Sequence, residues 1–168
     1  MAKPADRVFL RQVLLFKDIA DPELLALWPW LHERRLRAGE VLFREGDLGS
    51  ELFLIRSGSV VISKRVTGRV EQVLARLEPA DFFGEMSLFD RRPRSATVQA
   101  DVNTVLLGLT GENLDRFIES SPRAATAFFY QLVQVFIKRL RDSGDLVAEV
   151  TRWGLEATGL DIEHTSPG

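Results

Sequence analysis

The sequence contains no cysteine and only two histidines, His32 and His164. Because there is no thiol, the protein has no disulfide, no thiolate metal site and no cysteine nucleophile. A metal-dependent β-barrel enzyme of the cupin type needs several histidines inside the barrel, and we place neither histidine in the strand-forming region. With no nucleophile, metal-ligand set or acid-base pair apparent, we expect a protein that is not an enzyme and needs no cofactor.

Charge and hydropathy argue against several kinds of partner. The net charge is −2 and the pI is about 5.8, so there is no overall attraction to nucleic acid or to an anionic membrane. No apolar run approaches membrane-spanning length and the N-terminus lacks an apolar signal core, so we expect a cytoplasmic protein with no membrane partner. With 168 residues, 45% of them hydrophobic, the chain can bury one core, which predicts one domain with appended helices.

Residues 1–35 are predicted to form N-terminal helices. Apolar side chains recur at helical spacing from Asp6, a candidate N-cap, to Leu15. Asp21 followed by Pro22 is typical of a second helix start, with Asp21 as the N-cap. We expect these helices to cover one side of the domain that follows.

Residues 36–110 consist of short apolar or alternating runs separated by turn residues. This pattern is typical of antiparallel sheet, and the number of strands predicts a mainly β domain, a β-roll of the double-stranded β-helix or jelly-roll type. The predicted strands are Glu40–Phe43, Glu51–Ile55, Val60–Val66, Val70–Leu77, Thr97–Ala100 and Val102–Leu109.

Helical periodicity returns in residues 111–168. Thr110 can cap a short helix, and Pro122 can begin a long helix that reaches Val150. The long helix is apolar on more than one face, so we expect it to pack on the roll with one face and on a second copy of the chain with another. Gly144 is the expected place for a bend or break.

The stretch from Phe83 to Val98, FGEMSLFDRRPRSATV, carries the chemistry and interrupts the strand series. Gly84 allows close approach of a ligand, and the following turn, with Met86 and Ser87, presents free N–H groups suited to an anion. Arg94 offers a fork of donors to a phosphate, and Ser95 and Ala96 are small enough to bring two more N–H groups to it. Glu85, when ionised, can only accept hydrogen bonds, so beside an anion its expected partner is a neutral group such as a sugar hydroxyl. Phosphate and sugar hydroxyl together indicate a nucleotide.

These residues resemble the phosphate-binding cassette of the cyclic nucleotide-binding domain family, of the catabolite activator protein and protein kinase A regulatory subunit type. The resemblance lies in the spacing of Gly84-Glu85 and Arg94-Ser95-Ala96-Thr97-Val98, and upstream in F-R-E-G-D at 43–47 and L-F-L-I-R-S-G-S-V at 52–60. The chain departs from the family at Ala80, where glycine is common. Altogether the resemblance covers roughly residues 14–150.

The resemblance implies a role for each site residue. Glu85 would take the ribose 2′-hydroxyl, Arg94 the cyclic phosphate, and the residues after Arg94 would contribute N–H groups. Asp142 and Ser143 on the long helix would lie near the base. Ser95 carries a hydroxyl that can assist the phosphate, as in activators that bind cAMP, or reach a guanine amino group, as in cGMP-dependent kinases, and we favour cAMP over cGMP.

The expected function is that of a small sensor. A cyclic nucleotide would bind in the roll, and movement of the C-terminal helix would relay its presence to an effector protein that the sequence does not identify. The residues after Arg152 are too few for a helix-turn-helix domain, so we expect a stand-alone module without direct DNA binding. The alternative is a ligand-free β-roll that serves as a scaffold for protein interaction, in which Glu85 and Arg94 could pair with each other.

Overall fold

A computed structural model describes residues 4–68, 70–90 and 92–157. These residues fall into two compact units, one up to Phe129 and the other from Tyr130 onward. The helices are α1 (Pro4–Gln12), α2 (Asp21–Leu27), α3 (Ser87–Asp90), α4 (Gly111–Ser120) and α5 (Pro122–Ala157), with 3₁₀ turns at Leu14–Phe16 and Trp28–Trp30. The strands are β1 (His32–Leu36), β2 (Val41–Phe43), β3 (Glu51–Ser57), β4 (Val60–Thr67), β5 (Val70–Leu77), β6 (Phe82–Phe83), β7 (Thr97–Ala100) and β8 (Thr104–Thr110).

The strands form two four-stranded antiparallel sheets, which confirms the predicted β-roll with flanking helices. One sheet has the order β1-β8-β3-β6 and the other the order β2-β7-β4-β5. The cassette enters through β6 in the first sheet and leaves through β7 in the second. The segment between these two strands, which contains α3, therefore connects one sheet to the other.

The core lies between the sheets and explains the strand sequences. Leu52, Phe53, Leu54 and Ile55 of β3 are all buried, because β3 lies inside its sheet and has both faces covered. Phe53 stacks on Phe83 of β6 with ring centroids 5.5 Å apart. The base of the cassette is thus fixed to the core by an aromatic pair.

The turn into the cassette keeps its geometry although it lacks glycine. Ala80 has φ 72°, in the left-handed region that usually favours glycine. Hydrogen bonds hold it there: Ala80 N donates to Ile55 O at 2.9 Å, and Ile55 N donates to Asp81 O at 2.9 Å. Alanine at this position therefore costs backbone strain but preserves the turn.

Two predicted N-caps are wrong, for the same physical reason. Asp6 lies inside α1 and is buried, where its carboxylate accepts from Arg56 of β3 at 2.6 Å. Asp21 is the first residue of α2, with Ala20 as its N-cap, and its carboxylate pairs with arginines from α1. In both cases a guanidinium is a stronger partner for a carboxylate than a backbone N–H is.

Two short strands escaped the sequence pattern. β1, with sequence HERRL, exposes its first four residues and therefore shows no alternation of apolar residues. His32 consequently lies in a strand, contrary to the prediction, and its Nε2 is 3.7 Å from Glu51 Oε1. β6 has only two residues.

The C-terminal helices follow the prediction at their starts. Thr110 caps α4 by accepting from Asn113 N at 3.2 Å, and α5 begins at Pro122. α5 continues without a break through Gly144 and past Arg152, where the sequence predicted no helix, to Ala157; residues 158–168 lie outside the described residues. Among the described helices, none combines the length and the apolar character needed to cross a bilayer.

Candidate functional site

The backbone of Arg94 is fixed to the turn that follows β2. Arg94 N donates to Asp47 O at 2.7 Å, and Gly46 N donates to Arg94 O at 2.9 Å. Three residues later, Thr97 Oγ1 accepts from Glu45 N at 3.0 Å. These bonds hold the turn at residues 44–47 alongside the start of β7. They therefore fix the backbone position from which the Arg94 side chain extends.

The Arg94 side chain turns inward and is only 6% exposed. Its Nη1 donates to Glu51 O at 3.1 Å and makes a longer contact of 3.5 Å with Gly84 O. Its Cζ lies 4.1 Å from the centroid of the Phe43 ring. Within the described part of the chain, the buried Nε has no hydrogen-bond partner. The site therefore contains a buried cation with an N–H donor that could still form a hydrogen bond.

Electrostatics at Arg94 reflect this burial. Desolvation lowers the pKa of the guanidinium, because the site disfavours the charged form, while the charges of Glu51 and Asp47 oppose that shift. The group stays protonated at neutral pH because the unperturbed pKa of arginine is so high. An anion placed beside it would gain from the low-dielectric surroundings.

Gly84 is required by close packing and by its backbone. Its φ is 81°, and a Cβ there would lie 2.6 Å from Glu51 O and 2.8 Å from Arg94 Nη1. Any side chain would therefore push the guanidinium away. The structure brings Gly84 and Arg94 together although they are far apart in the cassette sequence.

The other cassette residues differ in exposure. Glu85 and Ser87 are buried, at 3% and 6% exposed, whereas Met86 is 55% exposed. The turn is closed by Leu88 N, which donates to Glu85 O at 3.2 Å. After Arg94, Ser95 is exposed and Ala96 is half-buried. Among the cassette residues whose burial the structure describes, the buried polar ones are Glu85, Ser87 and Arg94, which are the types expected for a polar ligand.

The predicted base contacts lie in the second unit. Asp142 and Ser143 are exposed residues of α5, and Asp142 accepts from Lys138 Nζ at 2.8 Å, one helical turn away. Their assignment to the base stays a prediction.

Sequence reasoning missed the residues that surround the arginine. Phe43 was assigned only to a strand end, and no role was predicted for Gly49, yet the first contacts the guanidinium with its ring and the second leaves room for it. Phe53 is also near the guanidinium, with its ring centroid 5.8 Å from Arg94 Cζ. The F-x-x-G-D motif at Phe43 was the available signal, but a motif does not reveal which side chain a ring contacts.

Comparison with known proteins places this geometry in a family. Residues 33–121 match the family model described as cyclic nucleotide-binding domain. The chain is 35% identical over 129 residues to the cyclic AMP receptor protein of Thermus thermophilus, an alignment that covers 77% of this chain and 58% of that protein. It thus spans less than two thirds of the length of this curated relative.

Solved structures agree with the sequence match. The catabolite activator protein of Thermus thermophilus has a TM-score of 0.76 and 32% identity, covering 82% of this chain and 63% of that one. The N-terminal domain of a transcriptional regulator from Streptomyces coelicolor A3(2) has a TM-score of 0.71 and 30% identity, covering 94% and 99%. The chain belongs to the cyclic nucleotide-binding domain family.

Proposed function

We propose that this protein binds a cyclic nucleotide inside the β-roll and acts as a small sensor. In this proposal Arg94 binds the cyclic phosphate, Glu85 accepts from the ribose 2′-hydroxyl, and the N–H groups of Ser95 and Ala96 complete the phosphate site. The observation that supports it best is the buried guanidinium whose Nε has no partner among the described residues. A buried donor without a partner is costly, and a phosphate oxygen would relieve that cost.

The scaffold alternative receives less support. It needs the two buried charges of the site to satisfy each other. Among the described residues, the Arg94 guanidinium contacts two backbone carbonyls and two phenylalanine rings, and the carboxylates that act on its pKa are Glu51 and Asp47. These contacts engage the guanidinium through groups other than Glu85.

The ligand proposed is cAMP in preference to cGMP. Ser95 is exposed beside the buried arginine, where its hydroxyl can assist the phosphate. The Thermus relative, named for cyclic AMP, supports the same choice. Titration calorimetry with cAMP, cGMP and linear AMP tests this directly. We expect cAMP to bind at micromolar concentration or tighter and linear AMP to bind much more weakly; tighter binding of cGMP would overturn the choice, and no binding of any of the three would favour the scaffold.

A row of aromatic contacts supports a relay from the cassette to α5. Phe89 of α3 lies 6.0 Å from Phe129, and Phe129 packs edge-on against Phe128 at 5.4 Å. Phe128 is fully buried and stacks on Phe16 at 6.0 Å. Because packed rings cannot move independently, a shift of α3 when a ligand enters would be felt at the start of α5. We propose that α5 moves in response and alters the surface offered to an effector protein.

The second unit supports a homodimer. Large apolar side chains of α5 follow one line with spacings of three and four residues, and all are exposed: Tyr130, Val133, Ile137, Leu140 and Val147. Gly144 continues the same line, and a Cβ built there would meet nothing within 4 Å. This is the heptad spacing of a helix that pairs with another helix. We propose that α5 pairs with its counterpart in a second copy of the chain.

A further inference from the structure

The guanidinium of Arg94 occupies space that a side chain at position 49 would fill. A Cβ on Gly49 would lie 2.6 Å from both Nε and Nη2 of Arg94, and 2.9 Å from its Cζ. The backbone of Gly49 lies outside the left-handed region, so its conformation does not itself require glycine. What requires glycine at this position is the arginine.

Phe43 supplies a second surface for the guanidinium. Its ring centroid lies 4.1 Å from Arg94 Cζ, which is close enough for a cation–π contact. The ring is held by the core, because its centroid is 6.2 Å from those of both Phe53 and Phe83. Because the ring is held in place, it restricts the orientation of the guanidinium that contacts it.

We propose that Gly49 and Phe43 are positioning residues for the phosphate site. The inference rests on the proposed function: the guanidinium is held in place before the ligand arrives, because the absence of a side chain at Gly49 leaves room for it and the Phe43 ring contacts it. A free arginine side chain has many rotamers, and ordering it on binding costs affinity. Holding it in advance removes that cost and aims Nε and Nη2, the two nitrogens nearest Gly49, in a fixed direction.

Gly49→Ala is the most direct test, because the added methyl group would clash with the movable end of a side chain and not with backbone. The guanidinium must shift, and the loss of one charge-assisted hydrogen bond predicts cAMP affinity weaker by roughly 10- to 150-fold. Phe43→Leu keeps apolar volume but removes the ring face. We expect it to weaken binding about 2- to 12-fold, the cost of ordering one long side chain.

Gly111→Ala is the matched control. The nearest atom to a Cβ at Gly111 is Ser50 O at 3.9 Å, an ordinary contact, so cAMP affinity should equal that of the parent. Thermal unfolding without nucleotide checks that each variant is folded. If Gly49→Ala binds cAMP as tightly as the parent, or if the control loses as much affinity, the inference is wrong.

A double-mutant cycle separates positioning from a general structural effect. If Gly49 acts through Arg94, Gly49→Ala should change cAMP affinity by less than about twofold in the Arg94→Ala background. Undiminished loss in that background would show that Gly49 acts in another way.

A ligand-free measurement separates the inference from the proposed function. In ¹⁵N NMR, the Nε–H signal of Arg94, assigned by its disappearance in Arg94→Ala, should shift in Gly49→Ala and stay in place in Gly111→Ala. If the parent binds no cyclic nucleotide while this signal shifts as expected, the proposed function fails and the positioning of Arg94 stands. An unmoved signal in Gly49→Ala overturns the positioning whatever the protein binds.

Discussion

Replacing Arg94 by alanine removes a buried cation of the cassette and tests the proposed phosphate site. In the parent protein Arg94 is 6% exposed, and its Nη1 contacts two backbone carbonyls. Its Nε has no hydrogen-bond partner among the described residues. The nitrogens of Arg94 that remain available are therefore the ones that a phosphate would use. Alanine takes away both these donors and the positive charge.

The magnitude follows from two contributions. A hydrogen bond to a charged group contributes about 1.5 to 3 kcal/mol, and the remaining attraction between guanidinium and phosphate adds to it because the site is desolvated. We expect a total of about 2 to 4 kcal/mol, which corresponds to a loss of roughly 30- to 1,000-fold in cAMP affinity. Arg94→Lys should fall between the parent and the alanine variant, because lysine restores the charge without the fork of donors.

Titration calorimetry with cAMP measures this loss, and Arg37→Ala is the control. Arg37 is an exposed residue of the turn after β1, so its removal changes the net charge by the same amount without touching the site. We expect the control to bind as the parent does. Equal affinity of Arg94→Ala and the parent would refute the phosphate assignment, and an equal loss in the control would show that only overall charge matters.

Three further predictions concern the rest of the proposed mechanism. Glu85→Gln should weaken cAMP binding less than removal of the arginine does, because an amide oxygen still accepts from a ribose hydroxyl; a larger loss in calorimetry would contradict the ribose assignment. Phe89→Ala should leave cAMP binding within a fewfold of the parent but abolish the nucleotide-dependent change in hydrogen exchange of α5, since it removes the ring contact with Phe129; an unchanged exchange response would refute the relay. Leu140→Asp places a charge in the exposed apolar line of α5 and should convert a dimer into a monomer in light scattering at tens of micromolar; a parent that is already monomeric would refute the dimer.

The parts of the fold that could be predicted are those whose signal is local. The cassette was recognisable because Gly84, Glu85 and Arg94 lie in one short stretch and their chemistry depends on residue type and spacing. Most strands were recognisable because one or both of their faces are buried. β1 was not, since its first four residues are exposed and give no alternation.

Contacts between distant parts of the chain could not be predicted in the same way. The carboxylate of Asp6 looked like a helix cap, yet it pairs with Arg56, which lies 50 positions further along the chain. Gly49 gave no signal in the sequence, because its importance depends on where the Arg94 side chain lies. In each case local preference was overruled by a partner that only the fold supplies.

The prediction at Gly144 failed for the opposite reason. A glycine in a helix costs about 1 kcal/mol relative to alanine, which suggested a break in the long helix. α5 has 36 residues and runs through this position. A penalty of that size is small beside the hydrogen bonds that a long helix would lose by breaking, so the helix absorbs it.

The carboxylates near Arg94 act on the guanidinium through their charge and not by accepting its hydrogen bonds. The two carboxylates that raise its pKa are directed elsewhere: Asp47 Oδ2 accepts from Arg44 N at 2.7 Å, and Glu51 Oε1 lies 3.7 Å from His32 Nε2. They help to keep the guanidinium protonated through their charge without occupying its donors. A purely structural arginine would gain more stability from a direct carboxylate partner. The arrangement found here gives up that stability and keeps donors available, which is what a site for a phosphate requires.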